Sequence, residues 1–128
     1  MSKLLYIVLL AILIAFWLPR ELAVAEPNIA PFIPSTRQII LGEATKYVIP
    51  PEKMLRVAQC ESSMNPKAYN PRDVDGLPAY GLFQFKKTTF EYYASLAGIE
   101  NPDIWSAKDQ AQTTAYMLSI GKDQWGCK

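Results

Sequence analysis

At 128 residues the chain has room for one ordinary domain, and thirteen basic against twelve acidic side chains give no positive stripe of the kind nucleic acid requires. The histidine count is zero, which excludes Ser-His and Cys-His nucleophilic sites and zinc held by imidazole. Hydrolytic chemistry would have to rest on carboxylates, and a metal on oxygen ligands alone.

The chain opens on Lys3 followed by an unbroken apolar run, Leu4 to Leu18, and then Ala23-Val24-Ala25, a small-x-small site. This is the pattern of a secretory signal peptide over residues 1–25. The competing reading is an uncleaved membrane anchor, but fifteen apolar residues span only about 22 Å as a helix, short of the roughly 30 Å hydrocarbon core. Without residues 1–25 the balance is eleven basic to eleven acidic side chains. Membrane contact is expected only if that segment stays attached. Two cysteines, Cys60 and Cys127, in a chain bound for an oxidising compartment are expected to pair.

Residues 26–34, "EPNIAPFIP", carry three prolines and read as an extended linker ahead of a domain at 35–128. Ser35 and Gln38 form a capping box for a first helix whose apolar set is Ile39, Ile40, Ala44, Tyr47 and Val48. Ile49-Pro50-Pro51 stops it, and Pro51 suits the first turn of a second helix reaching about Ser63. Residues 65–81, rich in proline, glycine and asparagine, read as a loop or small hairpin. Thr88 with Glu91 suggests a capping box for a third helix that Gly98 would end, and Ser106 with Asp109 one for a fourth that Gly121 would close. The expected fold is α+β, mostly helical, with the irregular segment as one wall of a cleft.

In the second helix Met54, Ala58 and Glu61 lie on one stripe, which turns a carboxylate toward the core or a cleft. Glu61 also sits at the negative end of the helix dipole. Desolvation and dipole both favour its protonated form, the form a general acid needs. A solvated helix-end glutamate would fit the position too, so position alone does not decide.

The series "CESSMNPKAYN", "YGLFQF", "TTFEYY" and "QAQTTAYMLSIGKDQWGC" resembles, in order, the soluble lytic transglycosylases of the lysozyme-like superfamily. It is also similar to the catalytic domain of the resuscitation-promoting factors. The likeness runs from about Lys46 to Cys127 and implies a lysozyme-like fold acting on peptidoglycan glycan strands at the MurNAc-GlcNAc β-1,4 bond. It implies Glu61 as catalytic acid, Ser62 as the serine that helps orient it, and Gly81 to Gln84 as groove lining, with Gln84 reaching sugar amides. Phe90 stands where many relatives carry Trp. Tyr116 matches a late cleft aromatic, although the motif here reads "AYM". Tyr80 and Tyr116 are expected at the cleft, and Phe83, Phe90 and Trp125 in the core. Such enzymes use one glutamate as acid and then base, with help from the substrate's N-acetyl group, and release a 1,6-anhydro sugar.

A hydrolysing lysozyme would need a second carboxylate, for which Asp73 and Asp75 are the candidates; "DVDG" is equally good turn chemistry. Placing Gly76 at the sixth position of a calcium loop puts Pro71 first and Leu82 twelfth, so that ligand set fails. The expectation is therefore a secreted, periplasmic or wall-associated monomer with no metal and no cofactor. A non-catalytic peptidoglycan-binding module, or a disulfide-stapled structural protein with no glycan role, stand as rivals.

Overall fold

The computed structural model describes Lys3, Ile7 and residues 30–127. The chain divides into two compact units, Met1–Phe32 and Ile33–Lys128. Apart from Lys3 and Ile7, the expected signal peptide and the start of the linker lie outside the described residues; Ala30 to Pro34 are exposed and without regular structure. No helix of the described residues is long and apolar enough to cross a membrane.

Within residues 33–127 four helices and one short hairpin follow in order: α1 (Thr36–Lys46), α2 (Pro51–Ser62), β1 (Tyr69–Asn70), β2 (Ala79–Tyr80), α3 (Lys87–Leu96) and α4 (Ala107–Ser119). This is the mostly helical α+β fold the sequence implied. The Ser35–Gln38 capping box is complete, with the Ser35 side chain taking the Gln38 amide and the Gln38 side chain returning to the Ser35 amide. Pro51 opens α2, where an amide hydrogen would have no partner within the helix. Positive φ at Gly98 and Gly121 turns the chain just past the ends of α3 and α4.

Three local expectations change. Val48 does not belong to the apolar face of α1. The helix ends at Lys46, and Val48, at φ 56°, swings out to 89% exposure. Thr88 does not cap α3. The chain enters that helix one residue after the Tyr80↔Phe85 bridge, so Lys86 becomes the N-cap and makes no side-chain cap bond. Ser106 does accept the Asp109 amide, but the Asp109 carboxylate turns to the Asp103 amide at 3.0 Å, leaving half a capping box.

The core gathers the inner faces of all four helices around Ile40, Met54, Phe83, Phe85, Phe90 and Trp125. Phe83, Phe85 and Trp125 meet edge to face, with ring centroids 5.6–6.1 Å apart for the two Trp125 pairs. These residues place the loop after the hairpin against the end of the chain. Strands β1 and β2 pair antiparallel, Tyr69 opposite Tyr80 and Asn70 opposite Ala79. That pairing folds residues 71–78 back beside the end of α2.

Candidate active site

Helix α2 delivers Glu61 in its last turn, where no basic residue balances the dipole. Ser63, at φ 52°, ends the helix, and Met64 donates back to the Ala58 carbonyl in the left-handed turn that follows. Ser62 is placed to donate to the Ala58 carbonyl at 3.0 Å and to the Leu82 carbonyl at 2.8 Å. The second partner ties the end of α2 to the 81–85 loop.

That loop is closed at its base by Tyr80 and Phe85, which exchange amide-to-carbonyl bonds of 2.9 Å. Inside it, Gly81 adopts φ 74°, and a Cβ there would run into the Gln110 side chain. Gln110 is 1% exposed and clamps the loop from α4. Its oxygen accepts the Phe83 amide at 2.8 Å, and its nitrogen donates to the Tyr80 and Ile104 carbonyls. Gln84, at φ 50°, has its side-chain nitrogen on the Gly81 and Ala68 carbonyls at 3.0 and 3.3 Å. Its side-chain nitrogen is therefore spent within the protein.

A cavity of about 360 Å³ is lined by Glu61, Asp73, Val74, Gln84 and Lys86, and by the chain end Gln124, Trp125 and Gly126. The end segment is a strap without regular structure, from Lys122 to Cys127. Trp125 fastens it by burying its ring and donating from Nε1 to the Phe83 carbonyl at 2.8 Å, and Lys53 pairs with Asp123 at 2.8 Å. The expected Cys60–Cys127 disulfide is formed. Cys127 Sγ lies 3.2 Å from Glu61 Oε1. A disulfide sulfur carries no proton, so this is a close contact that shields the carboxyl without hydrogen-bonding it.

Glu61 is half-buried. Loss of solvent pushes its pKa above the ordinary carboxylate value, and the charge of Asp73 adds to the rise. Asp73 and Asp75 move the other way. Lys86 Nζ lies 2.9 Å from an oxygen of each, and that bond, then the Val74 amide for Asp73 and the Leu77 amide for Asp75, holds both carboxyls below their usual range. Burial works against the Lys86 charge, but its two carboxylate partners outweigh it and raise its pKa.

Of the residues singled out in sequence, Glu61, Asp73 and Gln84 meet at this cavity. Tyr80 lines a neighbouring apolar cavity of about 160 Å³ that shares Lys86 with it. Tyr116 packs edge-on to Tyr47, the residue that caps the end of α1, centroids 6.3 Å apart, and is not among the lining residues. Phe90 is 1% exposed and packs on Phe85, so it offers no stacking surface to the cavity. A larger cavity of about 490 Å³ also touches the disulfide, lined by Arg37, Leu55, Arg56, Gln59 and Met64. It has no carboxyl group, whereas the smaller one is lined by Glu61 and Asp73. Among the described residues no cluster of three metal-ligating side chains occurs.

Sequence reading did not find Lys86, Gln110 or the strap as a wall. Gln110 left one signal: with Thr113, Thr114 and Met117 it occupies the buried face of α4 at helical spacing, where a polar side chain must find partners.

A helical domain that aims a half-buried carboxyl from a helix end into a polar groove has the architecture of a lysozyme-like glycan-cleaving protein. Residues 38–127 match the family model of the transglycosylase SLT domain, and the chain belongs to that family. Membership brings activity of the peptidoglycan lytic transglycosylase type, with the cell wall as substrate. No match was found among curated proteins or among solved structures.

Proposed function

We propose that Glu61 is the general acid and then the general base of a lytic transglycosylase that cleaves the MurNAc-GlcNAc β-1,4 bond. The observation that carries this is the half-buried Glu61 carboxyl, its pKa raised by desolvation, at a polar cavity of about 360 Å³. Held protonated, Glu61 gives its proton to the glycosidic oxygen as the bond to C1 breaks. The N-acetyl carbonyl oxygen of the same MurNAc covers C1. The C6 hydroxyl oxygen then bonds to C1 and returns its proton to Glu61, leaving a 1,6-anhydro sugar. Ser62 serves as a positioning residue, since it pins the end of α2 to the Leu82 carbonyl. Gln84, anchored through its nitrogen, has its side-chain oxygen left for a sugar amide N–H.

The hydrolytic alternative has one observation in its favour: Asp73 lines the same cavity. Its bond to Lys86 weighs against it, because a carboxylate held by an ammonium is a poor base for water. Asp75 does not line the cavity. The reading includes export by residues 1–25 and action at the wall outside the cytoplasm. Glu61→Gln should fold normally and lose at least about a hundredfold in release of soluble fragments from purified cell walls, the low end for a positioned acid. Full activity in that variant would refute the assignment.

A further inference from the structure

Lys86 is the polar hub of the hairpin, although it lies outside every motif that marks the family likeness. Its three ammonium protons have three acceptors at 2.9 Å: Asp73 Oδ2, Asp75 Oδ1 and the Leu77 carbonyl. The side chain is only 22% exposed, and it lines the same cavity as Glu61 and Asp73. The cavity thus contains a second carboxylate whose lone pairs are committed to a cation and to the Val74 amide.

We propose that Lys86 is a specificity-determining residue, which sets the product of cleavage by holding Asp73 in an ion pair and so denying water a general base. This rests on the transglycosylase reading and adds its cause. After Glu61 has protonated the leaving oxygen, two nucleophiles compete for C1. If the C6 hydroxyl attacks, its oxygen bonds to C1 and its proton passes to the Glu61 carboxylate. If water attacks from the face of the sugar opposite Glu61, its oxygen bonds to C1 and one proton must pass to a second carboxylate on that face. Asp73 is the cavity residue that could take it, and solvent would then reprotonate Glu61. With Lys86 in place the first route wins. Without it Asp73 regains the basicity of a free carboxylate beside the reacting centre, and hydrolysis opens.

The test is the ratio of hydrated to anhydro muropeptides, read by mass spectrometry, in digests of purified peptidoglycan. Wild type and Lys86→Arg should give mainly anhydro product. Lys86→Met should raise the hydrated share at least about tenfold, well inside what a positioned base contributes. Adding Asp73→Asn to Lys86→Met should return the ratio to the wild-type value, which a merely structural role for Lys86 would not produce. Lys86→Gln, a polar replacement without the charge, serves as the second variant should Lys86→Met fail to fold by circular dichroism. A folded, active variant without Lys86 that keeps the wild-type ratio overturns the inference and leaves the transglycosylase reading standing. Hydrated product from wild type overturns both, because the protein would then hydrolyse with Lys86 in place.

Discussion

Removing the Cys60–Cys127 disulfide, by Cys60→Ser with Cys127→Ser or by reduction, should weaken the fold and lower the pKa of Glu61. The bridge joins residues 67 apart in sequence, and in the chain-entropy account closing such a loop stabilises the folded state by roughly 4 kcal/mol. That is a large part of the about 5–15 kcal/mol typical of a domain. For a urea slope of about 2 kcal/mol per molar, the denaturation midpoint should fall by about 2 M. The second effect is local. The strap that lines the Glu61 cavity is held by the disulfide, by the Trp125 bond to the Phe83 carbonyl and by the Lys53–Asp123 pair. Releasing one of these lets water reach Glu61, and desolvation is the main reason its pKa is high. Cleavage falls as pH rises through the pKa of the acid, so the descending limb of the pH profile should move toward lower pH. Wall turbidity followed across pH, with and without the bridge, reads this directly. An unchanged midpoint would refute the staple, and an unchanged limb would refute the shielding of Glu61 by the strap.

Gly81→Ala should destabilise the domain by about 2–4 kcal/mol, since the left-handed backbone costs a side chain about 1–2 kcal/mol and crowding in a packed site adds a similar sum. The φ of 74° and the clash with Gln110 both contribute, and urea denaturation checks it; a neutral substitution would show that the loop can yield. Glu61→Gln should raise thermal stability relative to wild type at neutral pH and lose that advantage in acid. The folded pKa of Glu61 lies above its unfolded value of 4.5, so its contribution is fully present below that value and is lost as pH rises through the folded pKa. Equal melting differences at about pH 3 and about pH 7 would mean that Glu61 is not desolvated in the folded protein.

Features set by local chemistry were legible in the sequence. Ser35 with Gln38, Pro51, Gly98 and Gly121 each act within a turn of their own position, and each marks the boundary it was expected to mark. Glu61 was legible because helical spacing places it on the stripe of Met54 and Ala58, and the surrounding motifs give that position a use. Thr88 misled because a capping box is also local: the bridge from Tyr80 to Phe85 decides where α3 begins, and that pairing is tertiary. Lys86 was invisible for a related reason. Its partners lie nine to thirteen residues back, brought near only when β1 and β2 pair. The "DVDG" segment does make a turn, with the Gly76 amide on the Asp73 carbonyl at 2.8 Å, and its carboxylates also bind Lys86. Turn chemistry and a place at the cavity were posed as alternatives for Asp73, and the structure gives it both.

The most direct test of the account is the mass of the muropeptides that the wild-type protein releases from purified peptidoglycan. Single-carboxylate catalysis by Glu61 predicts 1,6-anhydro products, each lighter by one water than its hydrolysed counterpart. Products carrying that water would contradict it.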